Sequence, residues 1–578
     1  MKQNCPIKNY FPSATKKLLI GLMLTATLLV PTYYSNANEV SFNNPILPGG
    51  YPDPSICRVN NTFYMVNSSF EYFPGLPIHQ SNDLVNWTLV GYGLHRSKQV
   101  HAGINLLDVQ SNGGIHAPTL RCRGDKFYII TTNVYPPVGS TQPAQMINFV
   151  VTADNISGPW SDPYIIDGAP GIDPDLFFDD DGRVWYVGTH APNKPNYPGE
   201  GEIWLQELDS QSWQLKGPRH FLWRGALYGA IWAEGPHIYK RSGRYYLMVA
   251  EGGTSFDHAV TIAVSDKITG PYIGNARNPI LTSRHLSYDN WVHSTGHGDL
   301  IELADGRWYM VALGVRGDEQ RGSNMGRETH LMPVIWEREP YKWKQVRHEW
   351  PVVAPLTGKV ERINPLPFSD RQQHPKTVFI DQFDTAELDL QWNFRRMPAS
   401  GLYSTTERPG YLRLTTSPAV PTNSGRASLM GIRQTESDFE YQVAMEFTSS
   451  TNNVEAGVNL FQKDNNYLSY TIVRRDDSYS LQLMAALPKK SLEVLAQTPM
   501  ANYQGEIRLR VKAAGQSYDF AYSLDRGQSW MPFAETRADL LLSRGYTGAY
   551  MGLYTTSNGE STTDFVDFDW VRYKGIER

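Results

Sequence analysis

The sequence predicts an all-β chain, a five-bladed β-propeller followed by a β-sandwich, and three observations predict it. One motif, a polar residue, a short strand, a hairpin turn and an aromatic-rich strand, occurs five times between Tyr51 and Leu313. Its leading residues, Asp53, His116, Asp173, Glu234 and His297, are spaced by 63, 57, 61 and 63 residues. A period of about 60 residues holding several short strands belongs to propeller blades rather than to a helical solenoid. Beyond position 377 the repeat stops and plain period-two strands take over.

Taken in chain order, residues 1–37 read as a signal peptide. Lys16 and Lys17 precede the apolar run Leu18 to Val30, and Ser35-Asn36-Ala37 offers a small-residue cleavage site. The run is too short for a comfortable membrane span, so the expectation is export to the periplasm or the extracellular space. Cleavage removes four lysines and no acid, which lowers the formal charge from −5 to about −9. An acidic chain without a basic patch argues against nucleic acid and anionic membrane as partners. Two cysteines remain, too few for a disulfide framework. Cys57 and Cys122 sit one register apart in successive repeats, and strand alternation aims such positions at opposite faces. That register favours two separate thiols over one bridge.

The blades are expected over residues 43–355. Each unit carries its own hairpin pair: Asn60-Asn61, Gly124-Asp125, Asp181-Gly182, Ser242-Gly243 and Asp305-Gly306. Such pairs tolerate the positive φ of tight hairpins. Later in each unit an outer turn is closed by an aromatic, Trp87, Trp160, Trp213, Tyr272 and Trp343 in order. Residues 356–377 are Pro-rich and polar, a linker composition. The sandwich follows over 378–578, with strands such as Tyr441 to Phe447 and Ile507 to Val511. Ser523 to Trp530 fits the Asp-box pattern, but it occurs once and outside the blades, so it reads as an ordinary hairpin turn.

The five leading residues would form a ring of titratable groups around one axis, and that ring is the candidate site. Asp53 and Asp173 each precede proline, and Asp-Pro commonly starts turns. Their shared repeat phase with Glu234, which follows the apolar Ala230 to Ala233, favours a common site over three separate turns. Asp179, Asp180 and Asp181 read as a solvated charge run.

Asn44-Pro-Ile-Leu-Pro-Gly-Gly-Tyr-Pro-Asp-Pro-Ser-Ile56 resembles the opening of glycoside hydrolase family 43, the five-bladed xylosidases and arabinofuranosidases. Gly171 to Gly182, Ala233-Glu-Gly-Pro-His237, Gly296-His-Gly-Asp299 and Gly326-Arg-Glu-Thr329 match that family in order, across the whole propeller. The resemblance implies that Asp53 is the general base, Glu234 the general acid, and Asp173 the carboxylate that orients the acid and raises its pKa. The chemistry is sound on its own terms. Glycoside hydrolysis needs one ionised and one protonated carboxyl flanking the anomeric carbon, and a third negative charge beside Glu234 favours its neutral form.

The resemblance extends to the surroundings. Arg327 matches the arginine that binds sugar hydroxyls in the xylosidase-like branch, its rival reading being a surface salt bridge with Glu328. The stretch Phe70 to Phe73 is expected to supply an aromatic to the sugar pocket, with Phe70 the candidate, its rival reading being a blade-core aromatic. His116 stands where related sequences often carry an aromatic. In parts of the family the equivalent of His297 ligates calcium, and elsewhere it only hydrogen-bonds near the base. Calcium prefers several oxygen ligands, so both readings stay open, and no other cofactor is expected. The C-terminal region looks like the concanavalin-like sandwich of that branch. The implied activity is exo-acting, inverting release of xylose from hemicellulose oligosaccharides, with α-L-arabinofuranosidase as the alternative. A non-catalytic sugar-binding propeller should lack one of the three carboxylates, and a sialidase would need an arginine triad and repeated Asp boxes.

Overall fold

The computed structural model describes residues 40–576, except 101–102, 136–142, 319–320, 340–347, 376, 423–424 and 544–545. The expected signal peptide and Trp343 lie outside the described residues. Five antiparallel sheets form the blades, four of them from consecutive strands and the first passing over the short strand Tyr72–Phe73. Their innermost strands are Ser55–Val59, Gly114–Arg123, Ile172–Phe178, Glu234–Arg241 and Val292–Glu302. Hairpin positions Asn60, Gly124, Gly182, Ser242 and Gly306 all take positive φ, as short turns between twisted strands require.

No single core holds the propeller. Its apolar residues fall into five clusters, each lying between one blade and the next around the ring. Strand parity explains this, since alternate side chains leave opposite faces. In the fourth blade Tyr246 and Met248 pack toward the fifth, while Leu247 and Val249 pack toward the third. The outer aromatics cap these seams. Trp87, Trp160 and Tyr272 are buried, and each donates a hydrogen bond to a main-chain carbonyl three or four residues earlier.

The same parity corrects the reading of the cysteines. Cys57 and Cys122 form a disulfide, with Cα atoms 5.9 Å apart. They do lie on opposite faces of their sheets, but on neighbouring blades opposite faces look at each other. Asp179 is a second correction. It is buried and accepts hydrogen bonds from Lys240 Nζ (2.6 Å) and Tyr245 OH (2.7 Å), whereas Asp180 and Asp181 are exposed. The turn after the third blade's innermost strand, Ile172–Phe178, brings it against Lys240 on the innermost strand of the next blade, which a one-dimensional charge run does not reveal.

Residues 356–377 include a short strand, Ile363–Pro365, paired with Ser41–Asn43. Asn44 then ties this N-terminal segment to the fifth blade, its side chain exchanging hydrogen bonds with the Leu331 main chain (3.0 and 2.9 Å). Two larger sheets make the sandwich around one apolar core. In one of them, Glu506–Ala514 alternates buried with more exposed positions, the mark of a single buried face. In the other, Ser428–Arg433 and Tyr550–Thr556 are buried at every residue, because its second face meets the propeller. That sheet accepts a strand from the first blade, Tyr72–Phe73, which pairs with Asn393–Arg395. The single Asp-box stretch is a hairpin turn, with Ser529 donating to Asp525.

Candidate active site

Each of the last four inner strands is broken by a bulge near its start, where pairing with the next strand shifts register. At these bulges Ala117, Asp173, Gly235 and His297 take φ of 37°, 54°, 54° and 45°, and Asp53 adopts 52° just before its own strand. This conformation aligns with Pro54, Pro118, Pro174 and Pro236, so the equivalent positions are Asp53, Ala117, Asp173, Gly235 and His297. His116 and Glu234 come one residue earlier. The repeat as read from sequence is therefore offset by one in the second and fourth blades. Bulges re-aim the side chains that flank them, and the pre-bulge residue serves the axis there.

Asp53 lies at the bottom of the site, 5% exposed. Its Oδ2 accepts from Ser68 Oγ (2.6 Å) and Arg327 Nη2 (3.3 Å), and its Oδ1 from Arg327 Nη1 (3.1 Å). Burial by itself raises its pKa, but Arg327, then His297 and Ser68, outweigh that and hold the carboxyl below its ordinary value. Asp53 is thus ionised across the neutral range. Ser68 is fixed in turn by accepting from Ala117 N (2.7 Å).

Asp173 and Glu234 go the other way. Burial raises Asp173, the charge on Asp53 raises it further, and a hydrogen bond from Gly235 N (3.2 Å) offsets only part. Glu234 is raised well above the ordinary range by burial, then by Asp173 and Asp53, against a smaller opposing effect of Arg327. It is partly open to the cleft, and among the described residues its carboxyl makes no hydrogen bond. One ionised carboxyl and one that keeps its proton therefore share the site, the division that acid–base work on a glycosidic bond needs.

Arg327 is 4% exposed and bonds to Asp53 and to Thr254 Oγ1 (3.0 Å). It is no surface partner of Glu328, which is buried and takes a bidentate pair from Arg316 instead (2.6 and 2.8 Å). Phe70 and His116 meet edge to face with centroids 5.0 Å apart. Phe70 is held there by paired main-chain hydrogen bonds to Ile115 (2.9 and 3.0 Å). Gly114 permits this approach, since a Cβ there would fall 2.1 Å from the Phe70 carbonyl oxygen. His116 is buried enough to bring its pKa down to about 4, and its Nε2–H donates to the Asn112 carbonyl (3.0 Å).

Tyr546, from the sandwich, closes this wall. Its ring lies 5.5 Å from Phe70 and 5.8 Å from His116, with the Arg327 guanidinium 5.2 Å from its centroid. Sequence reasoning does not reach this residue, because nothing local marks Tyr546 among 33 tyrosines. Ser68 and Thr254 were missed for the same reason.

His297 has a neutral ring, brought down to about 4 by burial. Its Nδ1 lies 3.8 Å from Asp53 Oδ1, and its face packs over Gly235. Among the described residues no group of three or more His, Cys, Asp or Glu is arranged to hold a metal. The nearby oxygens of Asp53 are already taken by Arg327 and Ser68, and those of Asp299 by Ser55 (2.8 Å) and Tyr239 (2.6 Å). One imidazole nitrogen is a poor donor set for an ion that prefers oxygen. Asp299 belongs to a second polar layer, one step down the axis, in which Arg121 also bridges Asp175 (2.6 Å) and Asp299 (3.3 Å). This buried network forms a rigid floor beneath the carboxylates. A separate cleft of about 720 Å³, lined by Tyr51, Trp87, Arg316 and Glu436 among others, lies at the seam with the sandwich, and none of the three carboxylates lines it.

Two family models match this chain. Residues 42–340 match glycosyl hydrolases family 43, and residues 380–574 match the β-xylosidase C-terminal concanavalin A-like domain. A xylosidase/arabinosidase of Butyrivibrio fibrisolvens is 38% identical over 92% of this chain and 99% of its own length. A non-reducing-end α-L-arabinofuranosidase of Bacteroides ovatus is 33% identical over 97% and 98%. The crystal structure of a xylan β-1,4-xylosidase from Bacillus halodurans superposes with a TM-score of 0.81 at 31% identity, covering 92% of this chain and all of the other. Five blades, three axial carboxylates of divided protonation and matches along nearly the full length lead to one conclusion: the chain belongs to glycosyl hydrolase family 43 and is an enzyme that hydrolyses O-glycosyl bonds.

Proposed function

We propose that the protein is an exo-acting, inverting β-1,4-xylosidase working on xylo-oligosaccharides. The observation that carries this reading is the opposed titration of Asp53 and Glu234 in one closed site. Asp53 takes a proton from water as its oxygen attacks the anomeric carbon. Glu234 gives its proton to the glycosidic oxygen as that bond breaks. The products are a sugar of inverted configuration and a shortened alcohol, and solvent exchange restores both carboxyls. Asp173 keeps Glu234 protonated, Arg327 holds Asp53 and offers its guanidinium to sugar hydroxyls, and Phe70, His116 and Tyr546 wall the terminal sugar. An α-L-arabinofuranosidase is the second reading, supported by similarity to the Bacteroides ovatus enzyme of that name.

His297 acts here as a packing and electrostatic neighbour of the base, and no step passes through a metal ion. Unchanged turnover after chelation fits that role, whereas loss restored by calcium would return His297 to metal binding. Export is supported by the leader-like N-terminus and by the Cys57–Cys122 bridge, since disulfides persist in oxidising compartments.

Rates on aryl β-D-xylopyranosides and aryl α-L-arabinofuranosides, measured side by side, decide the sugar. The roles are tested by leaving-group dependence. Glu234→Ala should lose most activity on oligosaccharides yet keep appreciable rate on an aryl glycoside with an acidic phenol, where little protonation is needed. Asp53→Ala should be inactive on both, with azide able to replace the activated water. The reverse pattern would sink the assignment. Proton NMR of the first product formed should show the inverted anomer.

A further inference from the structure

Trp232 is a large apolar side chain whose placement burial does not explain. It is 49% exposed and has φ of 47°, a conformation that a bulky residue adopts only when its surroundings impose it. Those surroundings are specific. Trp232 N donates to the Gly199 carbonyl (2.6 Å), and Gly252 N donates to the Ile231 carbonyl (2.8 Å). Thr189 Oγ1 donates to the Ala233 carbonyl (2.5 Å), and Tyr197 OH to the Ala230 carbonyl (2.7 Å). The start of the same loop is held by the Glu251 carboxylate, which accepts from Ala226 N and Leu227 N (2.6 and 2.9 Å). An exposed indole is thus presented from the seam of the third and fourth blades by a loop fastened on both sides.

Its position continues the active site. Trp232 lies two residues before Glu234 on the segment that delivers the acid. The indole crosses Gly253, where a Cβ would come 3.3 Å from a ring carbon. The next residue, Thr254, hydrogen-bonds Arg327, which holds Asp53. The terminal-sugar wall of Phe70, His116 and Tyr546 comes instead from the first two blades and the sandwich. Trp232 therefore flanks the acid, the carboxyl that must touch the departing oxygen.

We propose that the exposed face of Trp232 is the platform for the leaving-group sugar, stacking on the apolar C–H face of that ring, and that it sets a preference for oligosaccharides over glycosides with small leaving groups. The proposal rests on the reading of Glu234 as general acid. Trp232→Ala, Trp232→Leu and Trp232→Phe are compared on xylotriose and on β-D-xylopyranosyl fluoride, whose leaving group has no ring, or on the arabinofuranosyl counterparts if that is the sugar released. Loss of the flat face in the Ala and Leu variants should lower kcat/KM on the oligosaccharide about tenfold, mainly through KM, a modest stacking contribution on the scale of one aromatic contact. Rates on the fluoride should stay within about twofold, and Phe should recover most of the loss. Equal losses on both substrates would make Trp232 a structural residue, and an unchanged rate on xylotriose would leave it without a role; either result overturns the proposal. Glu234→Ala on the fluoride reads the acid assignment separately, since fluoride departs with little help and the variant should stay active there.

Discussion

Asp53 and Arg327 are separated by 274 residues in the chain, yet the guanidinium Nη1 lies 3.1 Å from the carboxylate Oδ1 with both side chains buried. The pair couples the first blade to the last at the candidate site. It also makes Asp53 a stronger acid than an ordinary carboxyl, so that it remains ionised where Glu234, raised by burial and its acidic neighbours, does not.

Arg327→Gln should displace the whole pH–activity profile upward. Arg327 lowers Asp53, Glu234 and Asp173 alike, so its loss raises both the acidic limb, set by Asp53, and the alkaline limb, set by Glu234. The variant should also be less thermostable, because removing one partner of a buried ion pair costs about 3–5 kcal/mol. A pH profile on an aryl glycoside and a melting curve check both. Movement of one limb alone would contradict the shared field.

Asp173→Asn should move only the alkaline limb, and downward, because Glu234 loses the first of the charges that raise it. Stability follows with its own sign. A carboxyl raised in the folded state stabilises fully below its unfolded pKa and loses that contribution as pH rises through the folded value. Glu234→Gln should therefore melt about 1–2 °C above the parent at pH 8 and show no gain at pH 4. A gain at both pH values would point to packing rather than charge.

Cys57→Ser with Cys122→Ser removes a crosslink between the first two blades across a sequence separation of 65. A stability loss of about 2–4 kcal/mol is expected, with turnover at 25 °C retained because neither sulfur touches the site. Denaturation with and without reductant should give matching losses for the parent, and no reductant effect in the double variant.

Removal of the sandwich after about residue 375 should give poorly soluble or inactive protein. The cut leaves Tyr72–Phe73 without its partner Asn393–Arg395, and an unpaired apolar edge strand invites aggregation. A gentler test is Arg396→Leu. Arg396 N donates to the Glu71 carbonyl (2.9 Å) and Nε to the Val109 carbonyl (2.7 Å), beside Phe70 and the segment leading to His116. The variant should raise KM and lower the melting temperature, because the Val109 carbonyl loses its buried donor and Glu71 loses one of the two arginines that oppose the effect of its burial. A soluble isolated propeller with undiminished turnover would show that the sandwich does not support the site.

The sequence by itself determined the number of blades, the hairpins and the three carboxylates. These rest on local chemistry, such as turn residues with positive φ, strand alternation and acids recurring at blade spacing, and local chemistry survives projection onto one dimension. Only the tertiary structure decided that Cys57 faces Cys122, that Asp179 is buried under Lys240, that Arg327 grips Asp53 rather than Glu328, and that Tyr546 closes the pocket. Each of those contacts is made between blades or between domains. The propeller sets such partners by closing into a ring, and the periodicity of any one strand carries no information about which neighbour its outward face will meet.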